Sequence, residues 1–345
     1  MKRIVHITND LQRLGGVQRL LVDLLTLQKN KYEFEVILTR GENEYVDELN
    51  ALGVSVFHKR DIGLWGTIKH LNKADLVHAH LFPSLYIALL TKTPTVITEH
   101  NPHYRRRDVP FVKFLESILF RKFKKTACIS QGVETALLSD LRWKSDKTTV
   151  INNGVDLSRF SLTPKQYPNS DVTFKIGMVG RLHPQKDIHT LLDVIKLLAD
   201  SYELHLAGDG QLREELENYA AKIGVTHKVK FHGQVNNIPA FLDSLDLYVQ
   251  SSNWEGFGLA VVEAMAAGVP CLATNVEGLN NVVDKPYLFE VGDVKYLCSL
   301  IADIRESASS YKKLAALSIT KAKQFSINNT AISYQSLYDE YLYDK

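Results

Sequence analysis

The chain has 345 residues, 45% of them hydrophobic and 23% charged, with a formal net charge of +2. That length and balance predict a two-domain, core-forming protein and exclude a disordered chain; near-neutrality, with no basic stretch joined to a nucleic-acid module, excludes a dedicated nucleic-acid binder. No apolar run reaches the roughly 18 residues that span a bilayer, and Met1-Lys2-Arg3-Ile4 enters a strand pattern rather than a signal peptide, so a cytoplasmic protein is expected.

Short apolar runs at residues 3–8, 34–39, 54–57, 76–79, 95–98, 126–129 and 148–151 alternate with helical patterns and predict a doubly wound parallel sheet. Behind the first run, the loop from Asn9 carries Gly15-Gly16 ahead of a helix starting near Val17. That pair is either a phosphate or acceptor contact at a helix N-terminus or a plain tight turn. His78-Ala79-His80 closes the fourth run, and Thr98-Glu99-His100-Asn101, with His103 close behind, closes the fifth. No carboxylate or cysteine joins these histidines at zinc-site spacing, so no metal is expected. The three cysteines, Cys128, Cys271 and Cys298, sit in apolar contexts and predict free core thiols.

The basic residues Arg105, Arg106, Arg107, Lys113, Arg121, Lys122, Lys124 and Lys125 are interleaved with Phe111, Phe114, Leu115, Ile118, Leu119 and Phe123. A helix with cations on one face and aromatics on the other either lies on an anionic membrane or covers the sheet with its cations solvated. Asn153-Gly154-Val155-Asp156 then closes the first domain, Gly154 being read as permitting an unusual backbone angle. Residues 156–171, rich in Ser, Pro and Asn, read as a linker.

A second round of strands is predicted at 174–179, 203–207, 229–232, 246–250 and 270–273. The domains are placed at 1–157 and 158–327, with a terminal helix over 328–345 whose Tyr334, Leu337, Tyr338, Tyr341 and Leu342 form a core-facing stripe. Open α/β sheets bind ligands beyond the carboxyl ends of their strands, so two such sheets in opposition predict an interdomain cleft. Two segments at those ends carry chemistry. Gly180-Arg181 follows the strand at 174–179, with Lys186 close behind, and these cations suit a departing diphosphate. Trp254-Glu255-Gly256-Phe257-Gly258-Leu259 turns into a helix that carries Glu263 one turn inside and ends at Gly268-Val269-Pro270. The free N–H groups near Gly258 and Leu259 favour a phosphate, while the two carboxylates suit sugar hydroxyls. Gly-x-Gly-x-x-Gly and Walker A patterns are absent, which removes support for a dehydrogenase or an ATPase.

In order and spacing these segments resemble the family-four retaining glycosyltransferases, whose Glu-x7-Glu signature corresponds to Glu255 and Glu263. The resemblance covers essentially the whole chain, with Gln18 standing where the family often has Glu and Asn152 where many relatives have Pro. It implies the GT-B fold, two Rossmann-like domains, with the last helix crossing back onto the first. It also implies metal-independent transfer, with no cofactor, of a hexose or N-acetylhexosamine from a nucleotide-diphosphate sugar. By family frequency the donor is UDP-linked, and the acceptor is a glycan or lipid-linked oligosaccharide in surface polysaccharide biosynthesis at the inner face of the plasma membrane. Carried residue by residue, the catalytic set is His100, Arg181, Lys186 and Glu255. The donor-binding set is Gly15, Gly16, Gly180, Val235, Gly256, Phe257, Gly258, Leu259 and Glu263, with His80 lining the same cleft and the base near Gly233, Gln234 and Val235. A sugar-nucleotide epimerase or hydrolase, or a non-catalytic nucleotide-sugar binder, are the alternatives.

Overall fold

The computed structural model describes residues 1–13, 16–102, 104–143, 145–169 and 172–343. The chain divides into two compact units, one formed by Met1–Asp156 with Ile327–Lys345 and the other by Leu157–Ser326.

The first unit is built on seven parallel strands: β1 (Lys2–Thr8), β2 (Tyr32–Leu38), β3 (Ser55–His58), β4 (Leu76–His80), β5 (Thr95–Glu99), β6 (Lys125–Cys128) and β7 (Thr148–Val150). Their order, β3-β2-β1-β4-β5-β6-β7, reverses direction between β1 and β4. Ile4, Val5, Ile7, Leu76, Val77, Val96 and Ile97 have no exposed surface. Such continuous apolar runs are what a parallel sheet covered on both faces requires. The helix Gly16–Gln28 turns Leu20, Leu21, Leu24 and Leu25 inward, a spacing of one to four residues that puts them on one stripe.

The other helix on this face is Ile327–Leu342, which buries Tyr334, Leu337, Tyr338 and Leu342 in the same core as Leu20 and Leu24. Polar bonds fix its register: Gln28 Nε2 donates to the Ala331 carbonyl at 2.7 Å, and Lys31 and the Tyr32 hydroxyl both reach Asp339, at 2.5 and 2.6 Å. Gly154 meets the start of this helix. Its φ is not positive, which corrects the expectation of an unusual backbone angle. A Cβ there would lie 2.5 Å from Thr330 Oγ1 and 2.7 Å from the Ile327 backbone, so glycine serves close approach instead.

The basic segment also departs from expectation. On the helix Pro110–Leu119 the aromatics face outward, Phe111 and Phe114 being 72% and 63% exposed, with Leu115 and Ile118 beside them. Several cations are engaged inward instead: Arg107 is buried between Glu99 and Glu116, each at 2.7 Å, Arg106 pairs with Glu116, and Lys113 pairs with Asp140. Phe120 and Phe123 pack in the core. Two buried carboxylates demand cationic partners, and that demand outweighs the solvation of the arginines.

The second unit has β8 (Phe174–Val179), β9 (Tyr202–Ala207), β10 (Val229–Gly233), β11 (Leu247–Gln250), β12 (Cys271–Thr274) and β13 (Leu288–Phe289). All are parallel, in the order β10-β9-β8-β11-β12-β13, with the reversal between β8 and β11. Strand β13 was not expected from the sequence. At two residues it offers no periodicity to read. Among the described residues no helix is long and apolar enough to cross a membrane. The three cysteines are free, Cys128 and Cys271 buried and Cys298 half-buried, and burial pushes their thiols up.

Candidate active site

In an open doubly wound sheet, ligands bind where the strand order reverses. In the second unit that point lies between β8 and β11, and the loops leaving these two strands hold Gly180 to Lys186 and Ser251 to Gly258. They are bound tightly to each other. Asn253 N–H donates to the Gln185 carbonyl at 2.8 Å, Asn253 Nδ2 to the Pro184 carbonyl at 2.7 Å, and Gln185 Nε2 to the Trp254 carbonyl at 3.0 Å. Ser251 Oγ lies 3.1 Å from the Lys186 carbonyl and 3.0 Å from that of Asp187. Asp187 adopts a left-handed φ of 44°, so the loop reverses sharply before the helix Ile188–Leu197, and Thr190 Oγ1 bonds its carboxylate at 2.7 Å.

The result is a direct ion pair, Lys186 Nζ to Glu255 Oε2 at 2.5 Å, with each side chain about 15% exposed or less. The two residues are 69 positions apart in sequence. The lysine stem runs across Gly180, where a Cβ would stand 3.2 Å from Lys186 Cε. Glu255 is held from beneath by a chain of donors. The Tyr248 hydroxyl donates to Gln250 Oε1 at 2.7 Å, Gln250 Nε2 to Ser252 Oγ at 3.0 Å, and Ser252 Oγ to Glu255 Oε2 at 3.4 Å. Thr274 Oγ1 clamps the backbone of Ser252 at 2.9 and 2.8 Å. Behind the turn, a Cβ on Gly278 would lie 2.5 Å from the Glu255 carbonyl, so that loop seats directly on the acidic turn. None of Tyr248, Gln250, Ser252, Thr274 or Gly278 was singled out from sequence. Their signal is faint: polar residues closing the apolar β11, and a glycine shortly after β12.

Arg181 is exposed and has no ion-pair partner among the described residues, so its charge is available. The helix Leu259–Ala266 starts from Gly258 in a left-handed conformation, φ 93°, and has no acidic side chain in its first turn. Its leading N–H groups therefore keep their affinity for an anion. Gly258 cannot be replaced lightly, because a Cβ would meet Leu279 Cδ2 at 2.5 Å. Glu263 lies on this helix, half-buried. The Tyr248 phenol is pushed up, first by burial and in part by the carboxylates of Glu263 and Glu255, so both act on one buried ring. The Lys186–Glu255 pair is neutral in itself, which leaves the Arg181 guanidinium and the helix end as the groups offered to an anion.

The remaining donor-side residues divide. Gly180 follows β8 and its N–H donates to the Ala207 carbonyl at 2.9 Å; Gly208 N–H donates to the Gly233 carbonyl at 2.7 Å, so three glycines stand at the carboxyl ends of β8, β9 and β10. Val235 is half-buried in the loop after β10, two strands away from β8. Leu259 opens the helix and Gly256 is buried in the turn. Phe257 is 2% exposed and packs edge-on to Phe325 at 5.2 Å, which makes its ring part of the core. Gly15 lies outside the described residues, while Gly16 is the exposed first residue of the helix Gly16–Gln28.

The first unit presents a different chemistry where β1 meets β4. Parallel register sets His6 opposite His78, and His80 and His100 continue the row. His6 Nδ1 lies 3.1 Å from His80 Nε2, and His80 Nδ1 lies 3.4 Å from His100 Nε2. His78 bonds Tyr338 Oη and Thr98 Oγ1, both at 2.7 Å. Burial pushes all four imidazoles down, His6 and His100 to about 3. His6 was not anticipated, since a single histidine in a strand shows nothing until the register pairs it. One ring nitrogen from each of His6, His78 and His80 can be chosen so that the three lie within 4.8 Å of one another.

Residues 14–159 match the family model for Glycosyltransferase Family 4, and residues 161–320 match that for Glycosyl transferases group 1. The chain is 29% identical over 321 residues to the UDP-Gal:alpha-D-GlcNAc-diphosphoundecaprenol alpha-1,3-galactosyltransferase of Escherichia coli, covering 81% of this chain and 82% of that one. It is 27% identical over 365 residues to the capsular polysaccharide biosynthesis glycosyltransferase CapH of Staphylococcus aureus, covering 98% and 99%. Among solved structures, Anabaena Alr3699/HepE in complex with UDP and glucose superposes with a TM-score of 0.85 over 99% of this chain and 100% of that one, at 21% identity, a likeness of fold. With the two family models together spanning nearly its whole length, the chain belongs to the family-four glycosyltransferases of the GT-B fold.

Proposed function

We propose that this glycosyltransferase moves a hexosyl or N-acetylhexosaminyl group from a UDP-linked sugar to a glycan or lipid-linked acceptor, with retention at the anomeric carbon and without a metal. The observation that carries the reading is the Lys186–Glu255 ion pair at the strand-order reversal, with exposed Arg181 on the same loop as Lys186 and, after Glu255, a helix start with no acidic side chain in its first turn. A departing nucleoside diphosphate gains negative charge, and fixed cations and N–H dipoles stabilise it without reorganising. Arg181 and the helix end meet the diphosphate first; Lys186 bridges it to Glu255, whose carboxylate orients the glycosyl hydroxyls. In the retaining scheme the departing phosphate oxygen takes the acceptor's proton, the new C–O bond forms on the face the diphosphate leaves, and no covalent enzyme intermediate is needed. Glu263, on the same helix, suits the ribose. On the first unit, His100 contributes a contact to the transferred sugar.

Relatives named for diphosphoundecaprenol-linked and capsular substrates support a lipid-linked or polysaccharide acceptor. The outward Phe111, Phe114, Leu115 and Ile118, flanked by exposed Arg121 and Lys124, support docking of the helix Pro110–Leu119 on an anionic bilayer. A thermal-shift panel of UDP, GDP and ADP sugars, followed by proton NMR of the product's anomeric signal, tests the donor and the stereochemistry. A product of inverted configuration, or turnover abolished by chelator and restored by a divalent ion, would overturn the mechanism. Donor consumed without acceptor would point to a hydrolase or epimerase. For the surface, flotation with phosphatidylglycerol vesicles should be lost in a Phe111→Ser, Phe114→Ser variant; equal flotation of both proteins would discard it.

A further inference from the structure

The unit that carries His100 also carries a feature the transfer reading does not use: three imidazoles joined end to end. From His6 Nδ1 to His80 Nε2 is 3.1 Å, and from His80 Nδ1 to His100 Nε2 is 3.4 Å, which leaves His6 Nε2 and His100 Nδ1 as the two ends of the row. Both end nitrogens are buried and have no partner among the described residues. Neutral imidazole carries one N–H and one bare nitrogen. A row of three therefore has only two arrangements. Either every ring carries its proton on Nδ1 and donates toward His100, or every ring carries it on Nε2 and donates toward His6.

The surroundings choose between them. His6 has no exposed surface, and its ring stands 5.5 Å from Phe34 and 6.3 Å from Tyr338, centre to centre. Either arrangement leaves one N–H without a partner, and it costs more at His6, which has no exposed surface, than at His100, which is 9% exposed. The bare nitrogen thus belongs at His6 and the proton at the far end. We propose that His6 and His80 are positioning residues that lock His100 in the Nδ1–H tautomer, so that a ligand oxygen reaching this ring meets a hydrogen-bond donor. The ligand class is a neutral glycosyl hydroxyl, and that clause rests on the transfer reading above. Burial holds the rings uncharged, so the row works by tautomer and not by charge.

A metal ion is the rival occupant of His6, His78 and His80. Both nitrogens of His78 are already bonded to hydroxyls, and no carboxylate joins the group. A dication would enter a fully buried site with its charge uncompensated.

The test uses the full chain labelled with 15N-histidine, read by long-range 1H–15N NMR without substrate. His100 is expected as the Nδ1–H tautomer in the parent. His80→Phe, and His6→Phe two rings away, should each turn it into a mixture, while His80→Gln, which both accepts and donates, should restore it. In step, kcat/KM should fall roughly tenfold for His80→Phe and about threefold for His6→Phe, and recover in His80→Gln, as expected for a net hydrogen bond. His100 found as Nε2–H, a tautomer unmoved by both variants, or tautomers that shift with kcat/KM unchanged would overturn the proposal. One equivalent of Zn2+ bound by the parent and lost in His6→Phe would overturn it too. A protein inert toward every nucleotide sugar but carrying the expected tautomers would remove the transfer reading while supporting the row.

Discussion

Both units reverse their strand order in the same way, yet they furnish the reversal point with opposite electrostatics. In the second unit it holds a lysine, a glutamate, a free arginine and a helix end. In the first it holds four imidazoles that burial keeps neutral. Topology supplies the location and side chains supply the chemistry, since fixed charge suits an ionised diphosphate, whereas uncharged donors and acceptors suit a sugar.

The contrast breaks most sharply at the charged end. Arg181→Ala or Lys186→Ala should lower turnover about 10² to 10³-fold, comparable to removing one preorganised charge stabiliser; steady-state rates within a few-fold of the parent would deny the second unit its assigned role. Next come the two carboxylates. Glu255→Ala should act mainly on kcat and Glu263→Ala mainly on the donor KM, and kinetics with the effects exchanged would swap their roles. Gly258→Ala tests the backbone instead of the charge: with φ at 93° and Leu279 2.5 Å from the new Cβ, it should cost on the order of 1–3 kcal/mol in chemical denaturation.

The neutral end makes its own prediction, in acid. An unfolded chain takes up protons on its histidines below about pH 6.5, whereas folded His6 and His100 resist down to about 3. Stability from these rings is thus complete above 6.5 and drains as the pH falls toward 3, by about 1.4 kcal/mol per pH unit for each histidine. His6→Phe should flatten the fall of Tm with acidification, and an unchanged slope would mean that the rings are solvated. Smallest of all, Ser252→Ala should reduce kcat about three- to tenfold through looser seating of Glu255, with Ser252→Thr recovering it, the scale of one net hydrogen bond.

Much of this was legible in the chain. Twelve strands announce themselves as apolar runs between turn signals, because a parallel sheet buried on both faces needs such runs. What escaped was whatever depends on meeting across distance. His6 is one residue in a strand until register sets it opposite His78. Gln250 and Ser252 read as the polar end of a strand until the bonds from Gln250 to Ser252 and from Ser252 to Glu255 are seen. Arg107 reads as one of a solvated basic row, yet Glu99 and Glu116 draw it into the interior. Phe257 sits inside the signature segment, but its ring serves the core. Periodicity reports burial; it does not report partners.

The placement of the helix Ile327–Leu342 makes the first unit discontinuous in sequence. Because it supplies Tyr334 and Tyr338 to the core of the unit that contains Met1–Asp156, that unit has no complete core without residues past 326. The unit over Leu157–Ser326 closes within one stretch of chain, whereas the first unit forms only when two stretches separated by the whole of the other unit meet, a longer loop to close.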